Sequence, residues 1–292
     1  MRKFSKIVLG MAAVIGVVGL GLTVGGVAMG ATMDDMRYEG SSVQKVVNRM
    51  VRVAENLNDD DWDDDIWDDD DWESEDIDPS AKEGIYELEN ISSMDIELDY
   101  DELILEEYDG KNVKVRISGD CTEEVTVSTE GTELKIESEG KTKPEERQVV
   151  VCYPVGMKFT EVNIDVGEGT ATLDSDLNAG EFSASVGAGT LENYGAVSAR
   201  EADIEVGVGT LSLTDLDAEY IEAECGIGTM ELEAAGKKDD YNYRLSCGAG
   251  TLSLEDEEFS GLGASKIVDN DGAARKMQLE CGMGTMEVGF TD

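Results

Sequence analysis

The side chains best suited to binding chemistry are concentrated in one tract, NDDDWDDDIWDDDDWESEDID, at residues 58–78. All three tryptophans of the chain lie here, five residues apart, among ten aspartates between positions 59 and 71. Carboxylates attract calcium and cationic groups, and an exposed indole ring adds apolar and cation–π contacts. The candidate partner-binding residues are Trp62, Trp67, Trp72, Asp61, Asp65 and Asp70. The competing interpretation is an extended, solvated spacer, because like charges at this density repel one another.

Catalytic constellations are poorly represented in this sequence. The chain has no histidine, which removes the commonest general base and the Ser-His-Asp and Cys-His arrangements. Zinc is disfavoured for the same reason, and because no Cys-x-x-Cys pair occurs. We therefore expect a protein that is not an enzyme and needs no cofactor, with calcium as the one ion to consider. The alternative is a β-helix enzyme that acts on glycan through some of the 66 acidic residues.

A glycine-rich motif recurs through the second half of the chain, as VGEGT, VGAGT, VGVGT, CGIGT, CGAGT and CGMGT. The spacing does not match a dinucleotide or phosphate loop, because no third glycine and no Gly-Lys-Ser/Thr follows. The first glycines are 20, 20, 19, 22 and 34 residues apart, at Gly167, Gly187, Gly207, Gly226, Gly248 and Gly282. A repeat at this period is typical of a stacked architecture.

Apolar and polar residues alternate on both sides of each glycine pair, for example in Ala202, Ile204 and Val206 and then in Leu211 and Leu213. This period of two predicts two half-buried strands for each repeat. The glycines are then corners, which need either a positive φ or a close approach of two backbones. We predict an all-β fold, a single-stranded β-solenoid of roughly 20-residue coils.

Stacked coils place equivalent residues in columns. One predicted column holds threonines that either satisfy turn backbone groups or form a ligand face: Thr170, Thr190, Thr210, Thr229, Thr251 and Thr285. A second, mostly acidic column is either a solvated face or a row of cation ligands: Asp165, Ser185, Glu205, Glu224, Ser246 and Glu280. The aspartate used by calcium-binding β-rolls is missing from the repeat, so that mechanism is not supported.

The cysteines divide into two groups. Cys225, Cys247 and Cys281 occupy the corner position that valine fills in other repeats, and are therefore expected to be small core residues. Cys121 and Cys152 remain as a pair whose disulfide status the sequence leaves open.

The amino-terminal part predicts a membrane location. Residues 7–31 carry no charge and follow the basic MRKFSK, so residues 1–31 are expected to form a transmembrane anchor, with a cleaved signal peptide as the alternative. The basic end should lie inside and the remainder outside the bacterial plasma membrane, in a single pass. Residues 32–58 then predict a juxtamembrane amphipathic helix, residues 59–81 an acidic linker, and residues 82–292 one β-solenoid domain.

The run KFTEVNIDVGEGTATL, followed by SASVGAGTL, ADIEVGVGTLSL and ECGIGTMEL, resembles the putative adhesin family of bacterial envelope proteins. The resemblance covers about residues 85–290 and implies a β-strand-repeat domain of unknown function outside the cytoplasm. It supplies no catalytic residues, and the Trp-Asp tract is not part of the family pattern.

The net charge of −43 excludes ordinary nucleic-acid binding and favours cationic partners. Our leading hypothesis is a membrane-anchored, non-catalytic binding or scaffold protein of the cell envelope, similar to an adhesin. Its partners would be cell-wall components, matrix components or cationic peptides. The alternative is an envelope-stress sensor or decoy that captures cationic antimicrobial peptides. The sequence does not indicate the oligomeric state.

Overall fold

The computed structural model describes residues 84–138, 146–260 and 263–291. The predicted anchor, amphipathic helix and Trp-Asp tract lie outside the described residues. Inside them the chain forms strands and two 3₁₀ turns, at Thr122–Glu124 and Lys238–Asp240, so the all-β class is confirmed. No helix in this part of the chain has the length and apolar character needed to cross a bilayer.

The strands of the described residues are hydrogen-bonded into one sheet. Their bounds are β1 (Gly84–Leu88), β2 (Ser93–Leu98), β3 (Glu102–Tyr108), β4 (Val113–Gly119), β5 (Val125–Glu130), β6 (Glu133–Ser138), β7 (Arg147–Pro154), β8 (Lys158–Val166), β9 (Thr170–Leu173), β10 (Leu177–Val186), β11 (Thr190–Asn193), β12 (Val197–Val206), β13 (Thr210–Cys225), β14 (Thr229–Ala235), β15 (Tyr241–Cys247), β16 (Thr251–Leu254), β17 (Glu257–Ser260), β18 (Ala264–Val268), β19 (Arg275–Cys281) and β20 (Thr285–Thr291).

Most strand pairs are parallel and join equivalent positions of the repeat. Val186 of β10, for example, pairs with Val166 of β8 on one side and Val206 of β12 on the other. We call each strand–corner–strand unit a rung. The strands before the corners pair in the order β6, β2, β8, β10, β12, β13, β19, β15. The strands after them pair in the order β7, β3, β9, β11, β13, β14, β20, β16.

The rungs do not stack in chain order at either end. The β19–β20 rung, the last in the chain, lies between the β13–β14 and β15–β16 rungs. Likewise, β2 and β3 lie between β8–β9 and the outer strands β6 and β7. The order of the predicted columns is therefore wrong at one place, because Glu280 precedes Ser246 in the stack. The reason is that β17 and β18 pair as antiparallel edge strands on β16 and β15, and the chain then returns to the vacant inner position.

Antiparallel strands also cover the amino-terminal end of the stack. β5 pairs with β6, while β4 pairs with β7 and β1 pairs with β4. Exposed parallel edges offer unpaired backbone groups to other chains, and a change to antiparallel pairing with a short outer strand ends the ladder. The less regular amino-terminal strands thus cover this end of the parallel stack.

The corner glycines are required for close backbone approach. A Cβ added to Gly209 would lie 2.2 Å from the carbonyl oxygen of Gly189 in the rung below, and one added to Gly189 would lie 2.1 Å from the oxygen of Gly169. Among the described residues, positive φ values occur at other glycines and not at these corners. Of the two predicted reasons for glycine, the structure therefore supports close approach. The second glycine of each pair is the more tightly packed one. A Cβ added to the first glycine would lie farther from the oxygen beneath it, for example 2.9 Å at Gly207.

In the β2–β3 rung, Asp99 and Asp101 occupy the positions that the two glycines have in later rungs. A buried ion pair forms at this corner. Arg147 and Asp101 have fully buried side chains and form a two-pronged contact. The guanidinium group also donates to the carbonyl oxygen of Cys121 at 2.9 Å and lies 3.4 Å from Glu124 Oε2. Because a buried charge is costly unless it is paired, this cluster joins the irregular amino-terminal segments to the first corner.

We predict that Gly209→Ala destabilises the domain by about 1–3 kcal/mol or more, because the methyl group must enter space that a carbonyl oxygen already fills. Urea unfolding followed by circular dichroism measures the change. Gly289→Ala is the matched control, since the nearest atom to its added Cβ is Glu233 Cγ at 3.8 Å. Equal stabilities of the two variants would contradict the close-approach explanation.

Candidate binding surface at the glycine corner

The residue between the two glycines of each corner points away from the core. In stacking order these residues are Glu168, Ala188, Val208, Ile227, Met283 and Ala249. From Ala188 onward, each backbone N–H donates to the first-glycine carbonyl oxygen of the rung below at 2.7–2.8 Å, so the residues are held in a line. Val208 is 50% exposed and Met283 is 39% exposed. We call the five apolar members, Ala188 to Ala249, the apex ridge.

An acidic column runs along one side of the apex ridge, at the position three residues before each apex residue. Register pairs place its members in the order Glu137, Glu97, Asp165, Ser185, Glu205, Glu224, Glu280 and Ser246. Glu97 and Glu137 extend the predicted column by two rungs. Sequence reasoning missed them because their rungs lack the glycine motif.

Glu224 lies at the centre of the most acidic part of this surface. Glu205 and Glu280 are its direct neighbours in the column, and Glu222 lies two residues away on the same strand. Burial raises the pKa of Glu224 to about 7, with further contributions from Glu280, Glu222 and Asp203. Glu222 is hydrogen-bonded by Gln278 Nε2 at 2.7 Å and by the hydroxyl of Tyr220 at 3.0 Å. The surface therefore concentrates negative charge at a partly buried position.

A hydroxyl column lies on the other side of the apex ridge. The predicted threonines pair in register in the order Thr170, Thr190, Thr210, Thr229, Thr285 and Thr251. The first four are exposed, and the last two are half-buried. The corner thus presents three parallel stripes to solvent, which are acidic, apolar and hydroxyl-bearing.

The acidic column offers charge without a chelating centre. Within the three described ranges, no group of three or more carboxylate or thiol side chains converges on a point that could hold a metal ion. Successive carboxylates belong to successive rungs, which are about 4.8 Å apart along the stack. Such a row suits a partner with distributed positive charge better than a single calcium ion.

A shallow pocket on another part of the surface carries two arginines. Its lining includes Arg200, Asp217 and Arg275. Arg275 forms an ion pair with Asp217 at 2.8 Å and Arg200 pairs with Glu181. Because carboxylates of the same chain already pair with these guanidinium groups, the pocket is a weaker candidate for ligand binding than the corner.

The remaining predicted site residues are the Trp-Asp residues, the corner glycines and the cysteines. Trp62, Trp67, Trp72, Asp61, Asp65 and Asp70 lie outside the described residues, so their binding role stays a prediction. Gly167, Gly187, Gly207, Gly226, Gly248 and Gly282 all lie at the corners beneath the apex ridge. None of the five cysteines forms a disulfide, and Cys152 Sγ instead lies 3.2 Å from Glu106 Oε1.

No family model and no curated protein sequence matches the chain. Among solved structures it is similar to a putative adhesin from Bacteroides fragilis NCTC 9343, with 16% identity over 72% of this chain and 98% of the other and a TM-score of 0.38. It is also similar to a putative lipid binding protein from Parabacteroides distasonis ATCC 8503, with 15% identity over 73% and 98% and a TM-score of 0.45. A putative cell adhesion protein from Clostridium sporogenes ATCC 15579 gives 13% identity over 72% and 99%, with a TM-score of 0.32. At these scores the likeness carries no argument about function.

We predict that Glu224→Gln stabilises the chain more at pH 8 than at pH 5. The pKa of about 7 lies above the ordinary value of 4.5, so the folded chain holds a proton that the unfolded chain has lost between these values. Stability from this group therefore falls as pH rises through that window, and the amide removes the fall. Thermal unfolding should show a gain of about 2–4 °C at pH 8, the shift that ~1 kcal/mol gives in a domain of this size.

Glu231→Gln is the control for this experiment, because it removes the same charge from an exposed position on β14. Its effect should be small and should differ little between the two pH values. If both variants show the same pH dependence, the local environment of Glu224 is not responsible.

Proposed function

We propose that this chain is a non-catalytic binding protein of the bacterial cell envelope, with a β-solenoid domain held outside the plasma membrane. In-register parallel pairing at intervals of 19 or 20 residues, around a core of alternating apolar residues, supports the solenoid. The VGxGT repeat supports placing the domain in the putative adhesin family. The uncharged residues 7–31 behind a basic amino terminus support the anchor.

The observation that carries the binding role is the corner surface, where an exposed apolar ridge lies directly beside a column of carboxylates. A partner with an apolar face flanked by positive charges complements both stripes at once, whereas a simple polycation would contact only the acidic one. The five apolar apex residues span about 19 Å at ~4.8 Å per rung. That is the length of roughly 13 residues of α-helix. We therefore propose a cationic amphipathic segment of an envelope or matrix protein as the partner.

The Trp-Asp tract supports a second candidate function, an envelope-stress sensor or decoy that captures cationic peptides. Its sequence combines ten aspartates with three tryptophans, so it pairs negative charge with apolar groups, as the corner surface does, but in a different part of the chain. The two candidates therefore differ in which residues hold the apolar face of the partner. Substitutions in the two regions distinguish them.

We predict that the full-length chain binds a 13-residue Lys/Leu helical peptide, and that Val208→Ser/Ile227→Ser/Met283→Ser weakens this binding about tenfold, the equivalent of ~1.4 kcal/mol. The loss should be clearest at high salt, where the electrostatic attraction is screened and apolar contacts remain. Isothermal calorimetry measures the affinity. Polylysine binding should be unchanged in this variant, because it uses the acidic column alone.

Trp62→Ser/Trp67→Ser/Trp72→Ser is the companion variant. Under the corner proposal it binds the helical peptide as the parent chain does. If it loses the salt-resistant affinity while the ridge variant keeps it, the sensor or decoy function is favoured over the corner. If neither variant changes the affinity, both binding proposals are wrong.

We predict that the protein made in bacterial cells stays in the membrane fraction after a high-salt wash, with its amino terminus intact. An uncharged segment of 25 residues is long enough to cross a bilayer, and salt does not release such an anchor. Mass spectrometry of the purified protein gives the terminus. A mature terminus near Ala31 would show instead that the segment is a cleaved signal peptide.

A further inference from the structure

The hydroxyl column is one edge of a wider polar face on the strands that follow the corners. A second outward-facing column lies two residues beyond the threonines, and its members from β9 to β14 are Thr172, Glu192, Ser212 and Glu231. The residues between the two columns point into the core. We call the outer surface of β9, β11, β14 and residues 210–213 of β13 the hydroxyl face. These described strands present hydroxyl and carboxylate oxygens from four neighbouring rungs and contain no lysine or arginine.

The threonine hydroxyls of this face are open to a ligand. Four members of the column are exposed, and within the described part of the chain their hydroxyl groups have no hydrogen-bond partner: Thr170, Thr190, Thr210 and Thr229. The corner backbone pairs with other backbone groups instead. The N–H of Thr210, for example, donates to the carbonyl oxygen of Gly189 at 3.0 Å. The hydroxyls therefore keep both a donor and an acceptor for a bound molecule.

Tyr194 adds an aromatic ring to the edge of this face. It follows β11 directly and is 69% exposed. Its hydroxyl donates to Glu192 Oε1 at 2.9 Å, so the side chain runs back along the outer side of β11. A ring that is both exposed and oriented can stack on the apolar side of a ligand, while the carboxylate beside it accepts hydrogen bonds.

The backbone that carries Tyr194 is fixed by a buried asparagine. Asn193 Nδ2 donates to the carbonyl oxygens of Gly195 at 2.7 Å and Thr214 at 2.5 Å. Its Oδ1 accepts from the N–H of Thr214 at 2.7 Å. The N–H of Tyr194 donates to the carbonyl oxygen of Leu173 in the rung below at 2.8 Å. This segment is thus bonded to the rungs on both sides, and a ligand would meet a ring that is already positioned.

These groups match the chemistry of a sugar. A pyranose ring has a side of C–H groups that stacks on an aromatic ring and a rim of hydroxyls that donate to carboxylates and exchange hydrogen bonds with other hydroxyls. Equivalent positions on successive rungs are about 4.8 Å apart, close to the length of one sugar in an extended β-linked chain. Successive sugars would therefore meet similar groups. An anionic glycan is disfavoured, because carboxylates and no cationic side chains line the described strands of this face.

We propose that the hydroxyl face binds an uncharged, β-linked glycan that lies along the stack axis, with one sugar stacked on Tyr194. Glu192 accepts hydrogen bonds from the hydroxyls of that sugar, and the threonine hydroxyls contact the same sugar and its neighbours. The glycan is bound and not cleaved. This site is separate from the apex ridge, and it does not depend on the peptide partner proposed for the corner.

Saturation-transfer NMR of cellohexaose and chitohexaose with the full-length chain, in a detergent without a sugar headgroup, tests this site. At least one hexaose should bind, with the strongest saturation at the C–H protons on one side of a sugar ring. Tyr194→Ala should weaken the affinity about tenfold, the upper end of what one aromatic stacking contact contributes. Tyr194→Phe keeps the ring but loses its hydrogen bond to Glu192, and should have a smaller effect. Thermal unfolding checks that both variants are folded, as expected for an exposed position.

Matched controls complete the experiment. Thr210→Val removes one hydroxyl at nearly constant shape and should weaken binding about threefold, the loss expected for one hydrogen bond. Thr126→Val makes the same change at an exposed position of β5, outside the face, and should have no effect. The triple serine variant of the apex ridge should bind as the parent chain does, and anionic hexagalacturonate should not bind. The proposal is overturned if neither hexaose binds, if Tyr194→Ala binds as tightly as the parent chain, if the two valine variants behave alike, if the ridge variant loses the glycan, or if hexagalacturonate binds equally well.

Discussion

The glycine corners of this domain pack directly against a backbone carbonyl oxygen of the rung beneath, and the other features of the structure depend on that contact. Added Cβ atoms at Gly189, Gly209 and Gly228 would lie only 2.1–2.2 Å from those oxygens, so no other residue allows this approach. The corner N–H groups consequently reach the rung below at hydrogen-bond distance. Because the corner cannot slip, the strands on both sides pair in register and equivalent side chains meet in columns.

Columns bring like residues together, and the effect on ionisation depends on what the column contains. In the acidic column, neighbouring carboxylates add to the effect of burial and raise the pKa of Glu224. Cys225, Cys281 and Cys247 are consecutive in register and form what we call the thiol column, and there the neighbouring thiols lower the pKa of Cys281 instead. A carboxylate has only acceptors when ionised, whereas a thiol keeps a donor. The same backbone spacing therefore favours a proton at one site and its loss at the other.

The corners and the all-β class could be predicted because the glycine pairs and the alternation on either side are local signals. The composition of the threonine and acidic columns followed from the same signals. The order of the rungs could not be predicted, since nothing near Cys281 indicates that its strand inserts between β13 and β15 instead of docking on the outer side of β15. The contact of Arg147 with Asp101 was also inaccessible, because it joins residues 46 positions apart in a rung that lacks the glycines.

The exchanged order of the last two rungs also affects how the domain is completed. In a simple repeat stack each unit docks on the preceding one, so folding can proceed by addition of neighbours. Here the outer side of β13 and β14 is covered only when β19 and β20 pair with them, and the whole of the β15–β18 segment separates these strands along the chain. Closing a longer loop costs entropy before its contacts form, so this end of the stack should assemble last. Cys281 is delivered by that final segment, and the thiol column therefore exists only in the completed fold.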